Sequence, residues 1–392
     1  MDHDLIESIE QAIAIPLEPL ARLQLRADNF MHRAACGLLR RWDRSNTAVR
    51  ESPLGQYIDE FRHCISAVLS RDPPVFLVAI GGARPLWMVE ALSKLLGDRP
   101  ALFLLLIYWS IENPTTFEFL RRNAERLRAR SPRHSLVFMC NTTEEQTLLE
   151  KTQFEAIFVN QNQIVSEKTF RPLPGAAIEF DAVYNAKLAR FKRHHLAAAI
   201  DGVLYVSYRC PNDMSRSAGR AYLQRTLERS PHHRLANPIV NGLPAPLTPD
   251  EVNEAYSRTA VGLCLSPIEG AMRASMEYLL AGLPIVTTPS RGGRDVFLDA
   301  EYCLTAAADP RDIRDAVFAL RARRIPHQII RERTLARLEA ARRQSQSVLN
   351  DVFARHGLEL DSAAVWPPAA SALTSRPPRS HIGELLKAPG VG

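Results

Sequence analysis

Glu269 and Glu277 stand eight residues apart in SPIEGAMRASMEYLLAGLPIVTTPSRGG, residues 266 to 293. A helical rise separates two carboxylates at that spacing by ~12 Å at most. The loop PIEG precedes a helix expected from near Ala271, where free backbone N–H groups and the helix dipole favour anions. An ordinary turn satisfies the same pattern: Glu269 then complements the dipole and Glu277 is a solvated helix residue. Upstream, YNAKLARFKRHHLA, residues 184 to 197, places Lys187 and Lys192 five residues apart after a strand. Alone these read as surface lysines; beside an anion-favouring helix start they read as phosphate holders.

These residues need a frame that brings distant loops together, and the hydrophobic pattern supplies one. Buried strands are expected at 75 to 80, 102 to 108, 136 to 140 and 156 to 160, with helices between them. After RPLPGAAIEF, residues 171 to 180, the alternation restarts: DAVYNA, GVLYVSY, NPIV, VGLCLS and PIVTT are strands separated by helices near 194–200, 217–228, 249–258 and 271–281. Such alternation marks parallel sheets covered by helices. Two consecutive α/β runs imply two doubly wound domains facing one another, with ligands in the cleft at the carboxyl ends of their strands.

The expected organisation is a helical segment at 1–70 belonging to the first domain, a Rossmann-like domain at 71–175, and a second at 176–326. A helix at 327–360 is expected to pack back on the first domain. The tail at 361–392, rich in Pro, Ala and Ser, is expected to be poorly ordered, so that removal from Ala363 onward leaves folding intact.

The 392 residues suit two domains, and 46% hydrophobic with 23% charged residues is a globular composition. A formal net charge of +6 favours phosphates or an acidic membrane surface, while solvated helix faces account for the same arginines. No aromatic-basic RNA motif accompanies that charge, so nucleic-acid binding is not expected. The start, MDHDLIESIEQ, shows no secretory signal, and ALFLLLIYW at 101 to 109 is far short of a membrane span. The six cysteines form no C-x-x-C pair, as in a reducing cytoplasm.

The stretch from 261 to 293 resembles the donor-site signature of family 4-like retaining glycosyltransferases with the GT-B fold: a Ser-containing strand end, E-G, a second Glu after seven residues, then A-x-G-x-P and a Gly-Gly turn. YNAKLARFKRHHLA is similar to that family's G-R-L-x-x-x-K-G segment, with Lys187 where Arg is usual and Arg193 where Gly is usual. FVNQNQIVSEKTFRPLP is similar to its inter-domain segment. NPIVNGLPAPLTPDEVNEAYSRTAVGLCLS is similar to the part that shapes the base pocket, which brings in Val240 and Asn241. The likeness covers about 157 to 320. After E-G the family is Gly-rich, whereas Met272 and Arg273 follow Ala271 here.

The resemblance implies an α/β, GT-B fold and a hexosyltransferase-type enzyme. Such an enzyme moves a sugar from a nucleoside diphosphate donor to a glycan, lipid-linked or small-molecule acceptor, with retention. By the same resemblance Glu277 accepts from the ribose hydroxyls and Glu269 lies beside the transferred sugar. The amides of Gly270 and Ala271 help hold sugar or phosphate, and Lys187 and Lys192 neutralise the departing diphosphate, Lys192 counting with Glu269 among the catalytic residues. Gly81 and Gly82, at a first-domain strand end, form a phosphate or acceptor loop or a plain strand-to-helix turn, and Asn141 is an acceptor-side candidate or a helix cap. No metal is expected. The only Asp-x-Asp is at residues 2 to 4, and His194, His195, His232 and His233 lack partners at ligand spacing. No cofactor is expected, the nucleotide-sugar being a co-substrate. A cytoplasmic setting, peripheral to an anionic membrane face, suits the charge. Two other readings stay open: a non-catalytic nucleotide-binding scaffold of this fold, and a nucleotide-sugar epimerase.

Overall fold

The computed structural model describes residues 66–81, 85–210 and 213–368. The helical reading of 1–65 and the role given to Gly82 lie outside these residues. The described residues form two compact units, one drawn from 66–139 and 146–157, the other from 140–145 and 158–367. The expected α/β class is the one observed, with two units each built on a sheet of mainly parallel strands.

In the first unit the strands β1 (Ser66–Arg71), β2 (Pro74–Ile80), β3 (Ala101–Ile107), β4 (His134–Cys140) and β5 (Glu155–Phe158) lie side by side in sequence order. Helices α1 (Trp87–Leu96), α2 (Pro114–Arg130) and α3 (Thr143–Glu150) connect them. β2, β3 and β4 run parallel, and β3, ALFLLLI, is buried along its whole length, as a central parallel strand must be. The segment 66–71, read as the end of a helical region, is a strand antiparallel to β2. The Asp-Pro-Pro at 72 to 74 explains this: a residue before proline is kept out of the helical region, so the chain turns back as a hairpin.

The second unit contains β6 (Phe180–Asn185), β7 (Val203–Val206), α4 (Arg216–Arg229), β8 (Arg234–Leu235) and a small hairpin of β9 (Ile239–Val240) and β10 (Leu243–Pro244). Then come α5 (Pro249–Ser257), β11 (Thr259–Cys264), α6 (Arg273–Leu280), β12 (Ile285–Thr287), β13 (Cys303–Thr305), α7 (Pro310–Arg323), α8 (His327–Arg355) and α9 (Ser362–Val365). Its main sheet has the order β13-β12-β11-β6-β7-β8, with every neighbouring pair parallel. The chain runs outward from β6 to one edge, returns, and runs from β11 to the other edge. The order therefore reverses between β6 and β11, and a crevice opens beyond the carboxyl ends of those two strands. Helices α5, α6 and α7 pack against the strands and close the core.

Three expectations of organisation are corrected here. The Pro-Gly segment at 171 to 180, read as a boundary, lies inside the second unit, because residues 160–167 are already held there: Asn162 Nδ2 donates to Ala271 O at 2.7 Å. Helix α8, expected on the first domain, belongs to the second unit and packs on α6. Arg331 donates to the carbonyls of Glu167, Phe170 and Leu280, and Arg342 to those of Gln163 and Val165. Residues 361–368 of the segment expected to be poorly ordered are structured: Trp366 is fully buried and its indole N–H donates to Gln163 Oε1 at 3.0 Å.

Candidate functional site

The crevice at the switch point is built from two loops. Beyond β6 the chain passes Lys187, forms a tight turn over Arg190–Lys192, and continues through Arg193 at φ +52° into a second turn, His194–Ala197. Arg193 is thus a non-glycine residue in the left-handed region, at a position where the resemblance has Gly. The turn places the Phe191 ring under both lysines, with Lys187 Nζ at 5.0 Å and Lys192 Nζ at 5.4 Å from its centroid. The ring face is attractive to both ammonium groups. Lys187 also pairs with Asp213 at 2.7 Å; burial opposes its charge, yet Asp213 prevails and its pKa stands above the ordinary lysine value.

Lys192 is buried, at 7% exposure, and its ammonium is bonded to Glu269, itself at 5%. Burial lowers its pKa below the ordinary value, and Lys187 adds to that effect while Glu269 opposes it. The Ser266 hydroxyl donates to the same Glu269 oxygen, and Tyr184 Oη donates to the Lys192 carbonyl. The spacing of the sequence thus puts one cation and one carboxylate, 77 residues apart, into direct contact.

The loop that carries Glu269 is tied to the one after β12. Glu269 N donates to Arg291 O and Arg291 N to Pro267 O, both at 3.0 Å. Arg294 locks this arrangement. Its side chain is fully buried, donating to Cys264 O at 3.0 Å, Ser266 O at 2.9 Å and Thr288 O, with Asp295 as counter-ion at 2.7 Å. In SRGGRD this arginine follows the double glycine and turns inward. Gly293 is packed so closely that a Cβ there would stand 2.5 Å from Asn141 Cβ. Sequence reasoning missed Arg294; the Arg-Asp pair after two glycines was its signal.

Glu277 projects from α6 toward the same strand ends. Tyr256 Oη donates to it at 2.7 Å and Asn185 Nδ2 at 3.2 Å. Burial raises its pKa, against those two donors and Arg273. Asn185, the last residue of β6, also donates its backbone N–H to Tyr278 Oη, whose ring meets that of Tyr256 edge-on at 4.8 Å. None of these three partners was identified from the sequence, although Asn185 is the polar residue ending DAVYNA. Gly270 and Ala271 are buried in the loop before α6. Helix α6 begins at Arg273, two residues later than expected, because Met272 adopts φ +49° as its N-cap. That conformation favours glycine, and a side chain in it is strained.

The remaining candidates lie elsewhere. Val240 and Asn241 stand on the β9–β10 hairpin, where Asn241 at φ +52° and Gly242 at φ +72° form its two-residue turn. That hairpin packs on α4, and Val240 is exposed, so turn formation accounts for the Asn-Gly pair. Asn141 is fully buried; its side-chain oxygen accepts from Gln161 N at 3.0 Å and its carbonyl from Asn160 Nδ2 at 3.0 Å, which clasps two loops together. Gly81 follows β2, and a Cβ there would make only ordinary contacts, the nearest at 3.5 Å, so no close approach demands glycine. Among the described residues no group of three or more His, Cys, Asp or Glu comes together as a metal site, and no helix is long and apolar enough to cross a membrane.

No family model matches the chain, and no curated protein is similar to it. Solved structures are similar at low identity. TarM of S. aureus aligns with a TM-score of 0.48 and 10% identity over 73% of this chain and 55% of its own. The pneumococcal O-GlcNAc transferase GtfA, solved with UDP and GlcNAc, gives 0.46 and 14% over 69% and 60%. Anabaena HepE, solved with UDP, gives 0.48 and 14% over 70% and 78%. The chain thus spans less than two thirds of the length of TarM and of GtfA.

Proposed function

We propose that this protein transfers a glycosyl group, a hexosyl group in our reading, from a nucleoside diphosphate sugar to an acceptor. The observation that carries the reading is the convergence, at the switch point between β6 and β11, of two lysines on one ring, a buried Lys192–Glu269 pair, and Glu277. In this reading Glu277, held by Tyr256 and Asn185, turns its free acceptor capacity to the ribose hydroxyls. Lys187 and Lys192 face the diphosphate. As the glycosidic bond breaks, negative charge grows on the leaving diphosphate, and fixed cations in a poorly solvated crevice stabilise that charge more than the ground state. Glu269, buried beside Lys192, lies near the transferred sugar. Retention, metal independence, a glycan, lipid-linked or small-molecule acceptor, and a cytoplasmic position at an anionic membrane face complete the proposal.

A thermal-shift titration against UDP, GDP, ADP, TDP and CMP tests the pocket, beginning with UDP, the nucleotide bound in GtfA and HepE. At ~100 times its dissociation constant a ligand stabilises the fold by about 2.7 kcal/mol. One nucleoside diphosphate is expected to do so. Glu277→Ala should weaken that binding by roughly 1 to 3 kcal/mol, the cost of leaving buried hydroxyls without an acceptor. Absence of any response sinks the reading, and binding without sugar release from the matching donor leaves the non-catalytic alternative.

A further inference from the structure

Arg193 joins the turns Arg190–Lys192 and His194–Ala197 at φ +52° and ψ +43°, its N–H donating to Arg190 O and its carbonyl accepting from Leu196 N, both at 2.9 Å. That backbone conformation favours glycine, and a long side chain held in it marks retained strain, of the kind that gathers at ligand clamps. The charge of this side chain is set apart as well. Lys187 is paired with Asp213, Lys192 with Glu269 and Arg294 with Asp295. Arg193 is partly buried, and among the described residues its side chain makes no hydrogen bond or ion pair. The groups that act on its charge are the Tyr184 hydroxyl and the Arg294 guanidinium, and it acts in turn on His195; none of these is a carboxylate. Burial lowers its pKa, with Tyr184 opposing and Arg294 adding to that effect. Arginine, unlike lysine, cannot shed its proton to escape burial. Tyr184 bonds the Lys192 carbonyl, and Arg294 bonds Ser266 O in the loop that carries Glu269, so the guanidinium stands by the two loops that build the crevice.

We infer that Arg193 binds the terminal phosphate of the nucleoside diphosphate and thereby selects diphosphate over monophosphate, an inference that rests on the glycosyl-transfer reading above. The charge of each lysine is already balanced by its own carboxylate, whereas that of Arg193 is left for the ligand. Its planar fork matches two oxygens of one phosphate, which a lysine ammonium cannot do. With the ribose at Glu277, the terminal phosphate is the part of the ligand that reaches toward Lys192, and Arg193 is the residue next in the chain. Strain and an unbalanced cation at one position then have a common reason: both are retained because the ligand, not the fold, uses the side chain.

The experiment is titration calorimetry of the full chain with UDP and UMP, or with the matching pair if another base is preferred, on wild type, Arg193→Gly and Arg193→Lys. Melting temperatures are recorded beside the affinities. Wild type should prefer the diphosphate. Arg193→Gly relaxes the backbone and removes the unpaired charge, so it should melt at or above the wild-type temperature. Its affinity for the diphosphate should fall about tenfold or more, as for loss of a charge-assisted hydrogen bond, while its affinity for the monophosphate is kept. Arg193→Lys, with the charge but without the fork, should recover part of the lost affinity. The inference alone is overturned if wild type binds the diphosphate and Arg193→Gly keeps the wild-type ratio of the two affinities, or if both affinities fall together with the melting temperature, as they would for a residue that only supports the turn. A wild type that binds neither nucleotide of any pair overturns the glycosyl-transfer reading itself.

Discussion

The Lys192–Glu269 pair shows how one contact serves both folding and chemistry. Both groups are buried, and removing one partner of such a pair leaves an uncompensated charge, at a cost of about 3–5 kcal/mol. Lys192→Met should therefore lower stability by that amount in urea unfolding, since among the described residues Ser266 is the other side-chain donor to Glu269. The double variant Lys192→Met/Glu269→Gln should recover most of the loss and still fail to bind a nucleoside diphosphate. Recovery of binding along with stability would show that Lys192 is purely structural. The identities of the four charged residues were legible because carboxylates and cations recur at fixed offsets from strand ends. Their partners were not: Asn185 and Tyr256 reach Glu277, and Asn185 reaches Tyr278, only through tertiary packing, and Arg294 was not singled out. The left-handed residues Arg193 and Met272 were half legible, as places where the resembled pattern has glycine.

At the scale of elements, the alternation of strands and helices was readable across most of the described chain, since buried parallel strands are near-continuous apolar runs. What failed were the joints. Residues 66–71, expected to be helical, form a strand, and the Asn-Gly dipeptide at 241–242, itself a hairpin signal, makes the turn between β9 and β10. One element-level feature decides the shape of the crevice. Gly262 on β11 admits the Tyr278 ring of α6 so closely that a Cβ would lie 2.5 Å from it. Gly262→Ala should push α6 away from the sheet and destabilise the protein by roughly 1–3 kcal/mol, the usual range for overpacking. It should also weaken nucleotide binding, because Tyr278 and Glu277 are adjacent on that helix. A melting temperature equal to wild type would refute this account of the packing.

At the scale of the whole molecule, the C-terminal segment proves to be structural. Helix α8 spans 29 residues, and the chain after it returns Trp366 to the interior against Gln163. Trp366→Ala should cost about 3–5 kcal/mol, as other buried aromatic truncations do, readable as a lowered urea midpoint. An unchanged midpoint would show that the segment is dispensable. Composition concealed this, because one tryptophan among Pro, Ala and Ser does not alter the polarity of a tail. The two arginines of α8 also set an order of events during synthesis. The carbonyls of Gln163 and Val165 are translated 179 and 177 residues before Arg342, the donor that satisfies them. A nascent chain grows at about 5–20 residues per second, so these carbonyls stay bonded to water for roughly ten seconds or longer before their guanidinium exists. The loop that leads into the second unit is therefore finished last, by the ribosome's own timetable.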